Sequence, residues 1–155
     1  MANTYTQIHI HAVFAVRRRQ ALIDEAWKAK LYAYITGIIQ SYGHKVIIIN
    51  GTADHIHILF GMRPTQSLSD LMKEVKASSS KWINTNAFLK YRFEWQEGFG
   101  AFSYEMNKIP VVINYIKDQE KLHLDKPFVD EYQELLKQFA VSFDERYVFK
   151  NLIDH

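Results

Sequence analysis

The chain of 155 residues contains no cysteine. That absence excludes a disulfide framework, a thiolate metal site and a cysteine nucleophile. Any metal must therefore be held by nitrogen and oxygen, and any covalent chemistry must use another side chain. Long apolar runs are missing too. Stretches such as residues 46–49 fall far short of the roughly 20 residues that span a bilayer. Residues 1–20 show no long apolar run followed by small cleavage-site residues, so no signal peptide and a cytoplasmic location are expected. Proline occurs only three times and glycine six, which makes each one a useful punctuation mark. What is abundant is apolar surface. A hydrophobic fraction of 48% with 14% aromatics supplies a substantial core and excludes wholesale disorder. The length suits one domain, with two full cores being cramped.

Net charge is small, at +2, but unevenly placed. Residues 1–126 hold 16 basic and 11 acidic residues, a balance of +5, while residues 127–155 hold 3 and 6, a balance of −3. A basic body with an acidic tail permits nucleic-acid binding without demanding it.

Residues 5–16 alternate as a strand, with Ile8, Ile10, Ala12, Phe14 and Val16 on one side and Gln7, His9, His11 and Val13 on the other. Asp24 is placed to cap a helix running to about Tyr42, whose stripe is Trp27, Leu31, Tyr34, Ile35 and Ile38. Residues 44–50 read as a buried strand, and residues 54–61 as a third strand after Gly51. Ser67 with Asp70 resembles a capping box for a helix over 68–84, with Leu68, Leu71, Met72, Val75, Ser79 and Trp82 inside. A fourth strand is expected over 99–106. Pro110 opens a helix that runs to His123 or Leu124, and Pro127 separates it from a last helix over 129–139. The first six elements give the α+β, ferredoxin-like split βαβ pattern: one antiparallel sheet with two helices on one face, followed by C-terminal helices. The other face is expected to be open, with His9, His11, His55 and His57 clustered on it.

His55-Ile56-His57 places two imidazoles on one side of a strand, able to grip one metal ion, with Asp54 or a residue from elsewhere completing the site. His9-Ile10-His11 has the same pattern, so periodicity alone leaves the choice of pair open. Tyr115, Gln119 and His123 recur at i, i+4 and i+8, one polar stripe of a helix. A tyrosine hydroxyl is a poor nucleophile at neutral pH, but a metal polarising a phosphate compensates. Gln119 can offer its carbonyl oxygen to that metal.

Three phrases, in order, resemble the single-tyrosine HUH transposases of small single-strand insertion sequences, with the REP-associated tyrosine transposases as close relatives. The first is Ala53-Asp54-His55-Ile56-His57-Ile58-Leu59-Phe60. The second, Trp95-Gln96-Glu97-Gly98-Phe99-Gly100-Ala101-Phe102-Ser103, carries Phe99 where the family usually has Tyr. The third runs from Val112 through Tyr115 and Gln119 to His123, with Leu122 where a second His is common. His11-Ala12-Val13-Phe14 with Arg17 to Arg19, and Phe143-Asp144-Glu145-Arg146-Tyr147, are similar to the family as well.

The resemblance implies a catalytic domain over 1–126, with a C-terminal helix and tail, 127–155, packed on it. It implies His55, His57 and Gln119 as ligands of Mg²⁺ or Mn²⁺ and Tyr115 as nucleophile. It implies cleavage and rejoining of hairpin-bearing single-stranded DNA through a 5′-phosphotyrosyl link. A homodimer joined through the 99–106 edge, with Phe102 and Tyr104 at the seam, is also implied. Candidate DNA contacts are Arg17, Arg18, Arg19, Lys73, Lys76, Lys90 and Arg92, cations set beside aromatic residues; Trp82 and Trp95 are expected in the core or at a hinge rather than as platforms for bases. Two alternatives are a hairpin-binding module that does not cut and a two-histidine phosphoesterase. The first does not require Tyr115, Gln119, His55 and His57 together; the second wants Thr or Ser where His11 and His57 stand.

Overall fold

The structure, a computed structural model, describes residues 5–140. Four strands form one antiparallel sheet in the order β2-β3-β1-β4: β1 (His9–Ala15), β2 (Lys45–Gly51), β3 (His55–Gly61) and β4 (Gly100–Ser103). Two helices connect them in split βαβ fashion, α1 (Glu25–Ser41) and α2 (Leu68–Thr85), and three follow: α3 (Ile109–Lys117), α4 (Gln119–Leu122) and α5 (Phe128–Gln138). This is the ferredoxin-like α+β fold with C-terminal helices. Its helix starts follow from local chemistry. Asp24 accepts from the Ala26 amide at 2.9 Å and Ser67 from the Asp70 amide at 3.1 Å, each satisfying a donor that the first turn leaves free.

Strand alternation sorts the side chains. Ala12, Phe14, Ile56, Ile58 and Phe60 point to one face and build the main core with Trp27, Leu31, Ile35 and Ile39 of α1 and Leu71, Met72, Val75 and Ile83 of α2. Trp95 joins this core, its indole N–H donating to Ser79 Oγ at 2.9 Å, and Trp82 stacks on Tyr34.

The opposite face is not open. Val13, Ala15 and Phe102 are covered by Phe128, Leu135 and Leu136 of α5, and Leu59 by Ile109, Val112 and Ile116 of α3. The expectation of an open face fails because these strand positions are themselves apolar, and water cannot cover them without a large cost.

Three smaller differences have physical causes. β2 is a half-buried edge strand rather than a buried one, and a bulge between Val46 and Ile48 shifts its register. β4 is four residues long, and Phe102 and Tyr104 pack on Phe139 of the same chain instead of forming an exposed seam. The helix after Pro110 breaks at Asp118. The Asn50 side chain donates to the carbonyls of Ile116 and Lys117, at 2.9 and 3.1 Å, capping the end of α3 before α4 begins. The phrase at residues 143–147 lies outside the described residues.

Candidate functional site

β3 carries His55 and His57 on the face covered by α3, α4 and α5, and neither has any exposed surface. α3 and α4 bring Tyr115 and Gln119 to the same place despite the break at Asp118. Gln119 Oε1 is 2.9 Å from His55 Nε2. Into the centre comes a residue that the sequence reading missed, Glu131 of α5, only 2% exposed. Glu131 Oε1 lies 3.3 Å from His57 Nε2, 3.4 Å from His55 Nε2 and 2.8 Å from His123 Nε2. Its Oε2 accepts from Gln119 Nε2 at 2.8 Å and from the Tyr115 hydroxyl. One signal could have found it: Glu131 interrupts the apolar stripe of Phe128, Leu135 and Leu136 on the buried face of α5.

His55 has its own support. Its Nδ1 faces Asp54 Oδ1 at 2.7 Å, and Thr52 Oγ donates to the same carboxylate at 2.8 Å. The other paired histidine, His57, presents Nδ1 to His11 instead, at 2.7 Å. His9 stays half-buried at the start of β1, outside this cluster. His123 joins it, with Nδ1 facing the Lys126 carbonyl.

Burial and neighbours divide the ionisations. Burial opposes a charge on His55, yet hydrogen bonds to Asp54 and Glu131 prevail and raise its pKa to about 9. Burial drives His57 down to about 4, with Glu131 only partly offsetting it. For Glu131, burial is outweighed by hydrogen bonds from His123, His55 and His57, so the carboxyl stays ionised far below the usual range. Burial and the Glu131 charge push the Tyr115 hydroxyl well above its ordinary value.

These shifts set a stability profile for the metal-free protein. His57 and Glu131 resist protonation when folded, so stability falls as pH drops below 6.5, the ordinary imidazole value, and further through the carboxylate range. His55 holds its proton more tightly when folded, so its contribution is complete below 6.5 and lost as pH rises towards about 9. Thermal melts in EDTA are expected to peak near pH 6.5 and decline on both sides; a melting temperature still rising between pH 7 and 9 contradicts this network.

The donor set fits a divalent cation. His55, His57 and Glu131 offer ligand atoms that all lie within 4.8 Å of one another. The contacts of 2.9, 3.3 and 3.4 Å among His55, His57, Gln119 and Glu131 atoms match the separations of about 3.0–3.4 Å kept by oxygen and nitrogen ligands bound about 2.1 Å from one ion. Two imidazoles, one carboxylate and one amide oxygen suit Mn²⁺ somewhat better than an all-oxygen site would.

Among the candidate DNA contacts, Arg17, Arg18, Lys76 and Arg92 line one cleft of about 710 Å³ with Glu94 and Glu97. Arg17 pairs there with Glu94, and Lys76 donates to the carbonyls of Gln96 and Gly98 at 2.6 and 2.7 Å. Arg18 and Arg19 have positive φ, 57° and 52°, a strained turn for non-glycine residues. The Arg18 Nε is buried without a hydrogen-bond partner among the described residues. Lys73 and Lys90 are exposed and do not line this cleft.

The family profile described as "Transposase IS200 like" matches residues 4–119. No curated protein matches the chain. Two solved structures share the fold. A candidate transposase from Deinococcus radiodurans R1 is 17% identical with a TM-score of 0.63, covering 77% of this chain and 95% of its own. A REP-associated tyrosine transposase bound to a REP hairpin is 14% identical with a TM-score of 0.60, covering 79% of this chain and 73% of its own.

Proposed function

The chain belongs to the IS200-like transposase family, and we propose from that premise that it cleaves and rejoins hairpin-bearing single-stranded DNA through Tyr115. The observation that carries the reading is the convergence of a tyrosine hydroxyl, two imidazoles, an amide and a carboxylate at one buried point. His55, His57, Gln119 and Glu131 would hold Mg²⁺ or Mn²⁺. When bound, the ion supplies Lewis-acid polarisation of a phosphate oxygen.

The residues of the chain do the rest. Tyr115 attacks phosphorus, so a bond from its phenolic oxygen to phosphorus forms and the bond to the 3′ oxygen breaks. The products are a 5′-phosphotyrosyl link and a 3′-hydroxyl. Glu131 Oε2 accepts the Tyr115 O–H hydrogen bond and so orients the hydroxyl; as the bond to phosphorus forms, the phenolic proton passes to water, and the departing 3′ oxygen takes one from water in its place. Attack by another 3′-hydroxyl reverses the step, and because one phosphodiester is exchanged for another, no external energy is needed. Asp54 and Thr52 hold His55 with its Nε2 towards the site. Glu131 stands between Tyr115 and the imidazoles. A surface cleft of about 460 Å³ is bounded by Asp54, Glu120, His123 and Phe128, and Asp54 and His123 also belong to the cluster.

The cleft of Arg17, Arg18, Lys76 and Arg92 is read as a phosphate-contacting surface, with Arg19, Lys73 and Lys90 as further contacts. The catalytic unit is read as residues 1–126 with 127–155 as its C-terminal segment; among the described residues of that segment α5 packs on the sheet and brings Glu131 to the cluster. A homodimer through the outer edge of β4, in the cytoplasm, completes the reading. β4 is an edge strand, which supports pairing, although Phe102 and Tyr104 are already covered within the chain. Among the described residues, no helix is long and apolar enough to cross a membrane.

The test is cleavage of a hairpin-bearing oligonucleotide with Mn²⁺, with Mg²⁺ and with EDTA. Cleavage with either ion and none in EDTA is the expected result. Equal cleavage in EDTA would remove the metal from the account. Tight hairpin binding with no cleavage under any condition would favour the non-cutting module.

A further inference from the structure

His9 and His11 are indistinguishable in sequence pattern, but only one of them touches the site. In the β1–β3 register His11 stands opposite Leu59, so His57 is its diagonal neighbour on the same face. His11 Nε2 is 2.7 Å from His57 Nδ1, and His11 has no exposed surface. The ring centroids are 5.0 Å apart with planes inclined by only 25°. With nitrogens so close, the rings meet edge to edge, in the plane where a ring N–H points and a lone pair receives it.

A single proton can occupy that contact. If His11 donates it, a neutral His57 carries its own proton on Nε2, the atom facing Glu131, and has no lone pair there for a metal. If His57 donates it, Nε2 is free to coordinate. His55 solves the same problem with a carboxylate, Asp54. His57 has no carboxylate at Nδ1, and His11 occupies that position. With Nε2 accepting, a neutral His11 carries its own proton on Nδ1, which is buried without a hydrogen-bond partner among the described residues. Its other neighbours are the rings of Phe102, Tyr104 and Tyr115, with centroids 5.9, 6.1 and 6.1 Å away.

We infer that His11 is a positioning residue: its Nε2 accepts the Nδ1–H of His57 and so directs the His57 Nε2 lone pair to the metal. The inference rests on the metal reading above and extends it beyond the ligands. It also separates the two His-x-His pairs, one as ligands and the other as a single support from His11 alone.

Mn²⁺ titration followed by electron paramagnetic resonance tests it without DNA. His11→Phe, which fills the site but cannot accept, is expected to weaken Mn²⁺ binding by about 10–100-fold. His11→Gln, whose Oε1 can accept, is expected to recover most of that loss, and His9→Ala to change nothing. His11→Phe binding Mn²⁺ as tightly as the parent overturns the proposal. Nitrogen-15 NMR of the unaltered chain saturated with Mg²⁺ gives a check independent of any variant. It is expected to show His57 protonated on Nδ1; a proton on Nε2 overturns the proposal. If His55→Ala also retains full Mn²⁺ affinity, the metal reading itself falls, and the role of His11 with it.

Discussion

Tyr115→Phe is expected to abolish strand cleavage and covalent capture, by about 10⁴- to 10⁶-fold, while leaving the fold and Mn²⁺ binding in place. The substitution removes one atom. The ring keeps its position, 5.7 Å from His57 and 6.1 Å from His11, so packing is retained. Glu131 loses the hydroxyl hydrogen bond but keeps Gln119, His123 and His57 around its carboxylate. The stability change should stay within about 1.5–3 kcal/mol, the range for a hydrogen bond to a charged group. Activity and stability therefore separate. Cleavage of a hairpin oligonucleotide on a denaturing gel, beside a thermal melt, reads both. A Tyr115→Phe protein that still cleaves means that water or another side chain is the nucleophile.

Replacing His55 and His57 by alanine is expected to remove both metal binding and cleavage, with a loss of stability that Tyr115→Phe does not share. Glu131 is buried and ionised, and much of what keeps it so is hydrogen bonding from these imidazoles. Removing the His55 cation and the His57 contact from a buried anion costs about 3–5 kcal/mol. Part of that loss should be restored by adding Glu131→Gln, which removes the stranded charge, while metal binding stays lost. Calorimetric Mn²⁺ titration and thermal melts of the three proteins test this. Full Mn²⁺ affinity in the His55→Ala, His57→Ala protein would show that the ion binds elsewhere.

How much of this was legible in the sequence depends on the kind of signal. Period-two alternation placed Phe14, Ile56, Ile58 and Phe60 in the core and His11, His55 and His57 on the other face, because a strand offers only two sides. Asp24 and Ser67 announced their helices through cap chemistry. Tyr115 and Gln119 were singled out by spacing and resemblance, and the structure brings both near the histidine pair. The break at Asp118 was not legible, since it depends on Asn50, 66 residues before Ile116 in sequence. Glu131 was missed for a different reason. Its place in the apolar stripe of α5 was a local signal, but the reading of an open sheet face left nothing for that stripe, or for the carboxylate within it, to meet. Attending to Val13, Ala15 and Leu59 on that face would have shown that it needed a cover.

The central claim is that Tyr115 makes a covalent bond to DNA phosphate with the help of a metal held by this cluster. Intact-mass spectrometry after incubation with a hairpin-bearing single-stranded oligonucleotide tests it most directly. With Mn²⁺ the expected result is the chain plus the 3′ segment of the oligonucleotide, joined through its 5′ phosphate, with the modified tryptic peptide mapping to Tyr115; in EDTA the unmodified mass alone is expected. Cleaved DNA without an adduct, or an adduct on any other residue, would contradict the account.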